Sequence, residues 1–322
     1  MPNVARLVIR LALSILPCDI ACAQAALPSD PAVVRRVLAD TTLVHDLPAQ
    51  QSDSRLIVDL SVTRGERTTM TSQLGRLTAL LRADFAVQRA QGASLVFRTE
   101  IDVDTSSHGR MLGGSVSMTS WPYGVLDGHL EYYSAKVIEL QVNPDLCPAD
   151  EKVYGAGFRR APTFDGRFHG FPMLDSFVVI THRTAPPCLP VSRARVVTAL
   201  RRQLDRVLPQ LDAGSEMHVR AQALDALLAG MSPTERSSDA YLSMKSCEIV
   251  VCFAPPDEEG SEQLVVPNPD FYDRSRPTTV QAVALALPSL LAPSNPVNEF
   301  HARFIRAVLD GFDWPALGAL VQ

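Results

Sequence analysis

Beyond its first twenty-five residues this chain has no run apolar enough to cross a bilayer. A spanning helix needs about 20 predominantly apolar residues. The longest uncharged stretch, Pro277 to Asn298, is broken by Pro288, Pro293 and Pro296. The sequence also has no G-x-S-x-G, no H-E-x-x-H, no P-loop and no G-x-G-x-x-G. Those absences weaken the usual hydrolase, metalloprotease and nucleotide readings without excluding unfamiliar sites. No C-x-x-C pair or nearby His offers zinc-ligand spacing. There is no internal repeat. The formal net charge of −5 gives no support to nucleic acid as a partner, because such proteins need clustered basic charge and stacking aromatics. Nothing calls for a cofactor.

What is present is ordinary for a globular protein. The 322 residues are 46% hydrophobic and 20% charged, and a chain near that length buries roughly three quarters of its unfolded surface. No metal or disulfide is needed merely to supply a core. With 24 prolines, much of the surface should be stiff, Pro-turned loop.

Residues 1–25 read as an export signal. Arg6 and Arg10 give a positive start, Leu11 to Leu16 an apolar run, and Ala23-Gln24-Ala25 small residues for cleavage after Ala25. Asp19 is a poor match for the apolar lipobox position before Cys22. The expected location is therefore periplasmic or extracellular. Of the six cysteines, Cys147, Cys188, Cys247 and Cys252 remain after cleavage, an even number suited to an oxidising compartment. Cys247 and Cys252 flank Glu248-Ile249-Val250-Val251, which reads as a strand. An extended strand would hold their side chains on opposite faces, roughly 16 Å apart. The expectation is that Cys147 and Cys188 each pair with one of the later two.

Periodicity supplies the elements. Asp30 before Pro31 starts a short helix carrying Val33, Val34, Val37 and Leu38. Arg55–Thr63 alternates as a strand, and Arg64 to Gln91 is the clearest long helix, with Met70, Leu74, Leu77, Leu81 and Phe85 as its stripe. Leu95–Asp104 is a half-buried strand that turns at Thr105–Gly109 into Met111–Ser120. Glu131–Val142 and Met173–His182 are further strands, separated by a Gly- and Pro-rich loop. After Pro186, Pro187 and Pro190, Ser192 caps a helix over 193–208, and a second helix holds Met217, Ala221, Leu224 and Leu228. Strands resume at Glu248–Phe253, Gln263–Val266 and Val280–Leu287. A helix with Val297, Phe300, Phe304 and Val308 closes the chain before a last turn at Asp313-Trp314-Pro315. Runs of strands followed by runs of helices predict an α+β fold, a largely antiparallel sheet packed with amphipathic helices. The expected arrangement is a single unit over 26–322, with a sub-boundary near 186–190.

Leu264-Val265-Val266-Pro267-Asn268-Pro269-Asp270-Phe271-Tyr272-Asp273, with Pro277, Asp313-Trp314 and the passage Val178–Leu200, resembles uncharacterised exported bacterial proteins. The resemblance implies export and no particular chemistry.

Four constellations could carry function. Glu100, Asp102 and Asp104 share a strand face near His108, as a hard-cation site might require. However, Ser107 stands where a calcium loop has Gly, and the closing Glu is missing, so a solvated strand face is the plainer reading. His169 follows Asp165 by four, with Asp175, Ser176 and His182 close by, as in a hydrolytic triad. On a regular strand Asp175 and His182 point apart, which leaves His169 with Asp165 as the pair for an exported hydrolase acting from the 165–182 region. Arg193, Arg195, Arg201, Arg202 and Arg206 make one helix basic and fit an acidic partner such as anionic lipid or polysaccharide. The loops around Trp121-Pro122-Tyr123, Phe253 and Phe271-Tyr272 could line a groove, although such residues more often plug the end of a sheet. Together these features favour a non-catalytic binding or interaction protein of the cell envelope, with the hydrolase as the alternative.

Overall fold

The computed structural model describes residues 27–54, 56–104, 110–133, 136–147, 157–212, 214–243, 251–287 and 296–322. The leader, His108 and Cys247 lie outside them. The strands are β1 (Gln50–Asp53), β2 (Ile57–Val58), β3 (Ala93–Asp104), β4 (Met111–Leu126), β5 (His129–Tyr132), β6 (Lys136–Val142), β7 (Arg159–Arg160), β8 (Phe164–Phe168), β9 (Phe171–Leu174), β10 (Phe177–Thr181), β11 (Cys188–Pro190), β12 (Tyr241–Leu242), β13 (Glu262–Pro267) and β14 (Ala282–Ala286). The helices are α1 (Pro31–Ala39), α2 (Arg64–Ala83), α3 (Phe85–Gln88), α4 (Arg193–Asp205), α5 (Glu216–Gly230), α6 (Pro233–Ser237), α7 (Pro296–Gly311) and α8 (Trp314–Leu320). The fold is α+β, as the order of elements predicts.

Internal contacts divide the chain into two units where the sequence suggests one. The first holds residues up to Pro144, Asp165–His182 and Asp273–Gln322; the second holds Asp145–Phe164 and Arg183–Tyr272.

The first unit is built on a ten-stranded sheet ordered β1-β3-β4-β6-β14-β10-β9-β8, with β2 beside β3 and β5 beside β4. Among the described residues, β1 and β2 run parallel to their neighbour β3. Met70, Leu74, Leu77 and Leu81 of α2 and Ile305, Val308 and Leu317 of the C-terminal helices join Leu95, Phe97, Val116, Leu140 and Val283 in one core. A smaller cluster joins Val37 of α1, Val44 and Leu47 to Tyr123 and Leu130. Burial on both sides explains why Ala93 to Phe97 is an unbroken buried run, while the far end of β3 alternates.

A polar knot fixes one end of this sheet. Asn143, 8% exposed and at φ 48°, donates through Nδ2 to the carbonyls of Leu112 and Thr279, each at 2.8 Å. Its Oδ1 accepts from the N–H groups of Gln281 at 2.7 Å and Ala282 at 3.1 Å. Gln281, fully buried, continues the knot. It accepts from the Asp273 N–H at 2.7 Å and donates to the carbonyls of Asp273 at 2.8 Å and Arg276 at 3.3 Å.

Several elements differ from the sequence reading, each for a local reason. The strand expected over Arg55–Thr63 shrinks to β2, because the Asp59 carboxylate accepts from both the N–H and the hydroxyl of Ser61 and turns the chain. Leu60 at that turn is fully exposed. The long helix ends at Ala83 because Asp84 caps a new one, accepting from the N–H groups of Ala86 and Val87. That break shifts the stripe: Val87 is buried and Phe85 is 62% exposed. Met173–His182 is two strands joined by Asp175 and Ser176, at φ 47° and 69°. Of Glu248–Phe253, residues 248–250 lie outside the described residues, and Val251 and Cys252 are not extended strand.

In the second unit β13 pairs antiparallel with β11, β12 and β7. Val196, Val197 and Leu200 of α4 pack with Leu224 of α5, Leu242 and Leu264. Ser192 caps α4 as expected, its hydroxyl accepting from the Arg195 N–H. Cys147 is bonded to Cys188, with Cα atoms 5.6 Å apart. This corrects the expectation that each would pair with Cys247 or Cys252. Asp145 accepts from the Cys147 N–H, a turn that brings the thiol beside the first residue of β11, and both cysteines pack on Val265. Cys252 is also disulfide-bonded, to a partner outside the described residues.

Glu66 holds the start of α2 in a capping box with Thr63 and receives the Arg110 guanidinium at 2.9 and 3.0 Å. The Arg110 hydrogen bonds, then the Thr63 N–H, bring its carboxyl from 4.5 down to about 2.

Replacing Asn143 by Ala should lower the unfolding free energy by about 3–4 kcal/mol, since two carbonyls and two N–H groups lose their partner. Asn143→Gly should cost less, because glycine tolerates the positive φ. Denaturant titration of both variants tests this. Replacing Cys147 and Cys188 together by Ser should cost about 4 kcal/mol, the chain-entropy value for a loop of this length, read as a lowered thermal midpoint that reductant no longer shifts at this bond. The Glu66 contribution should be fully present above pH 4.5 and be lost as pH falls toward about 2. Glu66→Gln should flatten stability against pH in that window.

Candidate functional site

The region read as a possible hydrolytic site is a three-stranded meander, β8-β9-β10. His169 and Gly170, at φ 47° and 86°, form the two-residue turn between β8 and β9. Asp175 and Ser176 form the next, between β9 and β10. Both turns have positive φ at both central positions, the type I′ geometry that suits the twist of paired strands. The exposed His169 ring stacks on Trp314 with centroids 5.3 Å apart and an interplanar angle of 15°. Trp314 itself is buried, donates to the Leu309 carbonyl at 2.9 Å, and is surrounded by Phe168, Phe171 and Phe312. The Asp165 carboxylate accepts from the Ser176 N–H across the meander. The His182 Nε2 lies 3.1 Å from the Gly318 carbonyl. His169, Asp165 and His182 are thus engaged in holding a turn or docking the last helix.

The acidic strand face is likewise divided. Glu100 pairs with Arg98 at 3.2 Å, and Asp104 with Arg274 at 3.2 Å. Asp102 faces Gly113 across the ladder, so closely that a Cβ there would meet its carboxylate at 2.6 Å. Among the described residues no three His, Cys, Asp or Glu side chains gather as metal ligands.

The residues read as aromatic loops are largely interior, and Trp121 to Tyr123 lie within β4 instead of a loop. Tyr123 is fully buried, Trp121 and Phe271 nearly so, and burial pushes the Tyr123 hydroxyl up to about 12. Phe253 lies under the Arg193 guanidinium at 5.3 Å.

The basic helix separates into two sets. Arg193 donates to the Ala254 carbonyl at 3.0 Å, and Arg201 takes both carboxylate oxygens of Asp225 at 3.0 Å together with Asp205. These two arginines hold the second unit together. Arg195, Arg202 and Arg206 are exposed and make no ion pair among the described residues. At spacings of seven and four they fall within about 40° of one line along the helix, over roughly 17 Å. Arg206 keeps helical φ and ψ, so the row continues past the last turn. Beside it, the turn and the next helix expose Val207 at 42%, Leu211 at 41% and Val219 at 62%.

No family model, curated protein or solved structure matches this chain. The sequence reading missed the hairpin turn at Asp127-Gly128, φ 50° and 77°, between β4 and β5. Asp-Gly between alternating apolar residues is a direct signal for it.

Asp165→Ala should cost about 1 kcal/mol of stability, the worth of one hydrogen bond to a charged acceptor at an exposed turn, and Ser176→Gly should raise stability by up to about 1 kcal/mol by relieving the positive φ. Thermal unfolding of the two single variants reads both effects.

Proposed function

We propose that this chain is an exported, non-catalytic interaction protein of the cell envelope that meets an acidic partner through the outward face of α4. The observation that carries this reading is the row of Arg195, Arg202 and Arg206, exposed and in no ion pair among the described residues, in a protein whose formal net charge is −5. Asp205 and Asp225 both pair with Arg201, and the four arginines of this face outnumber these two carboxylates. Exposed charges of one sign without partners cost self-repulsion, and an acidic surface relieves it. The bonded cysteines support an oxidising compartment. The positive, apolar, small-residue order of residues 1–25 supports export, and the resemblance to uncharacterised exported bacterial proteins agrees with it.

Expressed in a bacterial host, the protein should be recovered outside the cytoplasm with Ala26 as its first residue. It should sediment with envelope material at low salt and leave it as salt rises, since screening shortens the reach of exposed charge. The triple variant Arg195→Gln, Arg202→Gln, Arg206→Gln should lose that sedimentation and keep its thermal midpoint. Recovery of the full-length chain in the cytoplasm, with Met1 in place and every thiol free, would overturn the reading.

A further inference from the structure

We infer that the α4–α5 helical hairpin is a docking surface for an anionic phospholipid membrane. This rests on the interaction reading above and names its partner. Three features of the hairpin point to lipid. The first is the arginine row, whose planar guanidinium groups pair with phosphate in two-point contacts. The second is α5, which buries fully only Ala221 and Leu224. Val219, Gln222, Ala226, Ala229 and Gly230 form an exposed, uncharged strip along it, bordered by the exposed Glu216, Arg220 and Asp225. The third is the turn between the helices, which exposes Val207 and Leu211 immediately after Arg206.

Arg201 connects these features, because its contact with Asp225 joins α4 to α5 on the flank next to the arginine row. The remaining acids at this end are Glu216, paired with Arg220, and Asp212. Cationic side chains beside exposed aliphatic ones match a bilayer interface, where phosphates lie above acyl chains. A polysaccharide or a single-stranded nucleic acid would call for hydrogen-bonding side chains or aromatic platforms. Residues 193–230 contain no Phe, Trp or Tyr, and their exposed residues include Val207, Leu211 and Val219 beside the amides Gln203, Gln210 and Gln222.

Co-sedimentation with vesicles tests this, using the purified protein and either pure phosphatidylcholine or a mixture rich in phosphatidylglycerol. The protein should partition onto the anionic vesicles and leave the neutral ones in solution. At about a fivefold factor per arginine near the surface, the triple glutamine variant should bind about a hundredfold more weakly. The double variant Val207→Ser and Leu211→Ser should weaken binding to anionic vesicles while leaving its salt dependence unchanged. Equal binding to both vesicle types, or binding that survives the triple variant, would overturn the lipid assignment. Arginine-dependent retention on an anionic polysaccharide without vesicle binding would overturn the lipid assignment and leave the interaction reading standing. Loss of arginine dependence in envelope sedimentation as well would overturn both.

Discussion

The first unit depends on the full use of one side-chain amide. Asn143 sits at the end of β6, where the chain leaves this unit after Pro144, and Asp273 is where the chain returns. Between them lie more than a hundred residues that belong largely to the other unit. A sheet interrupted at that point has β14 as a central strand that is contributed late, so its register cannot come from a short connection. Asn143 supplies the register instead, by accepting from Gln281 and Ala282 and donating to Leu112 and Thr279. A buried polar group is costly when half-satisfied and specific when fully satisfied. Here all four bonding directions of the amide are taken. The pairing Val142 with Val283 then follows, and with it the placing of β10, β9 and β8 beyond.

The same reasoning accounts for the second unit. Its two segments, Asp145–Phe164 and Arg183–Tyr272, are separated by the meander that belongs to the first. The bond between Cys147 and Cys188 joins one segment to the other, and β7 adds to the join by pairing with β13. Each interruption of the chain is therefore matched by a cross-link that does not rely on sequence proximity. That is how loop-closure entropy is offset when contacts are distant along the chain.

The helices and the long ladder were legible because their signals are local. Asp30, Thr63 and Ser192 each cap the helix they precede, and the Met70-to-Leu81 stripe is buried throughout. The stripe misled only at Phe85, where one carboxylate, Asp84, restarts the helix and alters the phase. The cysteines were not legible, because the pairing of Cys147 with Cys188 depends on the turn at Asp145 and on the placing of β11, neither of which spacing reveals. The knot was invisible for a different reason. Asn143 reads as the first residue of a loop, and its four partners come from positions as far away as Ala282. The suspected catalytic group shows the opposite error. His169, Asp165, Asp175 and Ser176 lie close in sequence because tight hairpins concentrate polar, turn-forming residues. Polar crowding of that kind follows from strand geometry as readily as from chemistry.

Whole-chain charge and local charge also part company. A formal net charge of −5 gives no support to nucleic acid as a partner, yet electrostatic attraction at an exposed surface falls off over about 10 Å at moderate salt. The charge at the outward face of α4 is therefore set by that helix and its near neighbours more than by the sum over the whole chain. Arg201 is half-buried and bound to two carboxylates at once. With Asp205 and Asp225 both on Arg201, the four arginines Arg195, Arg201, Arg202 and Arg206 outnumber the two carboxylates by two. All three side chains are partly exposed, so the contact itself adds little stability. In this hairpin it fixes which charges the surrounding solvent, or a membrane, can meet.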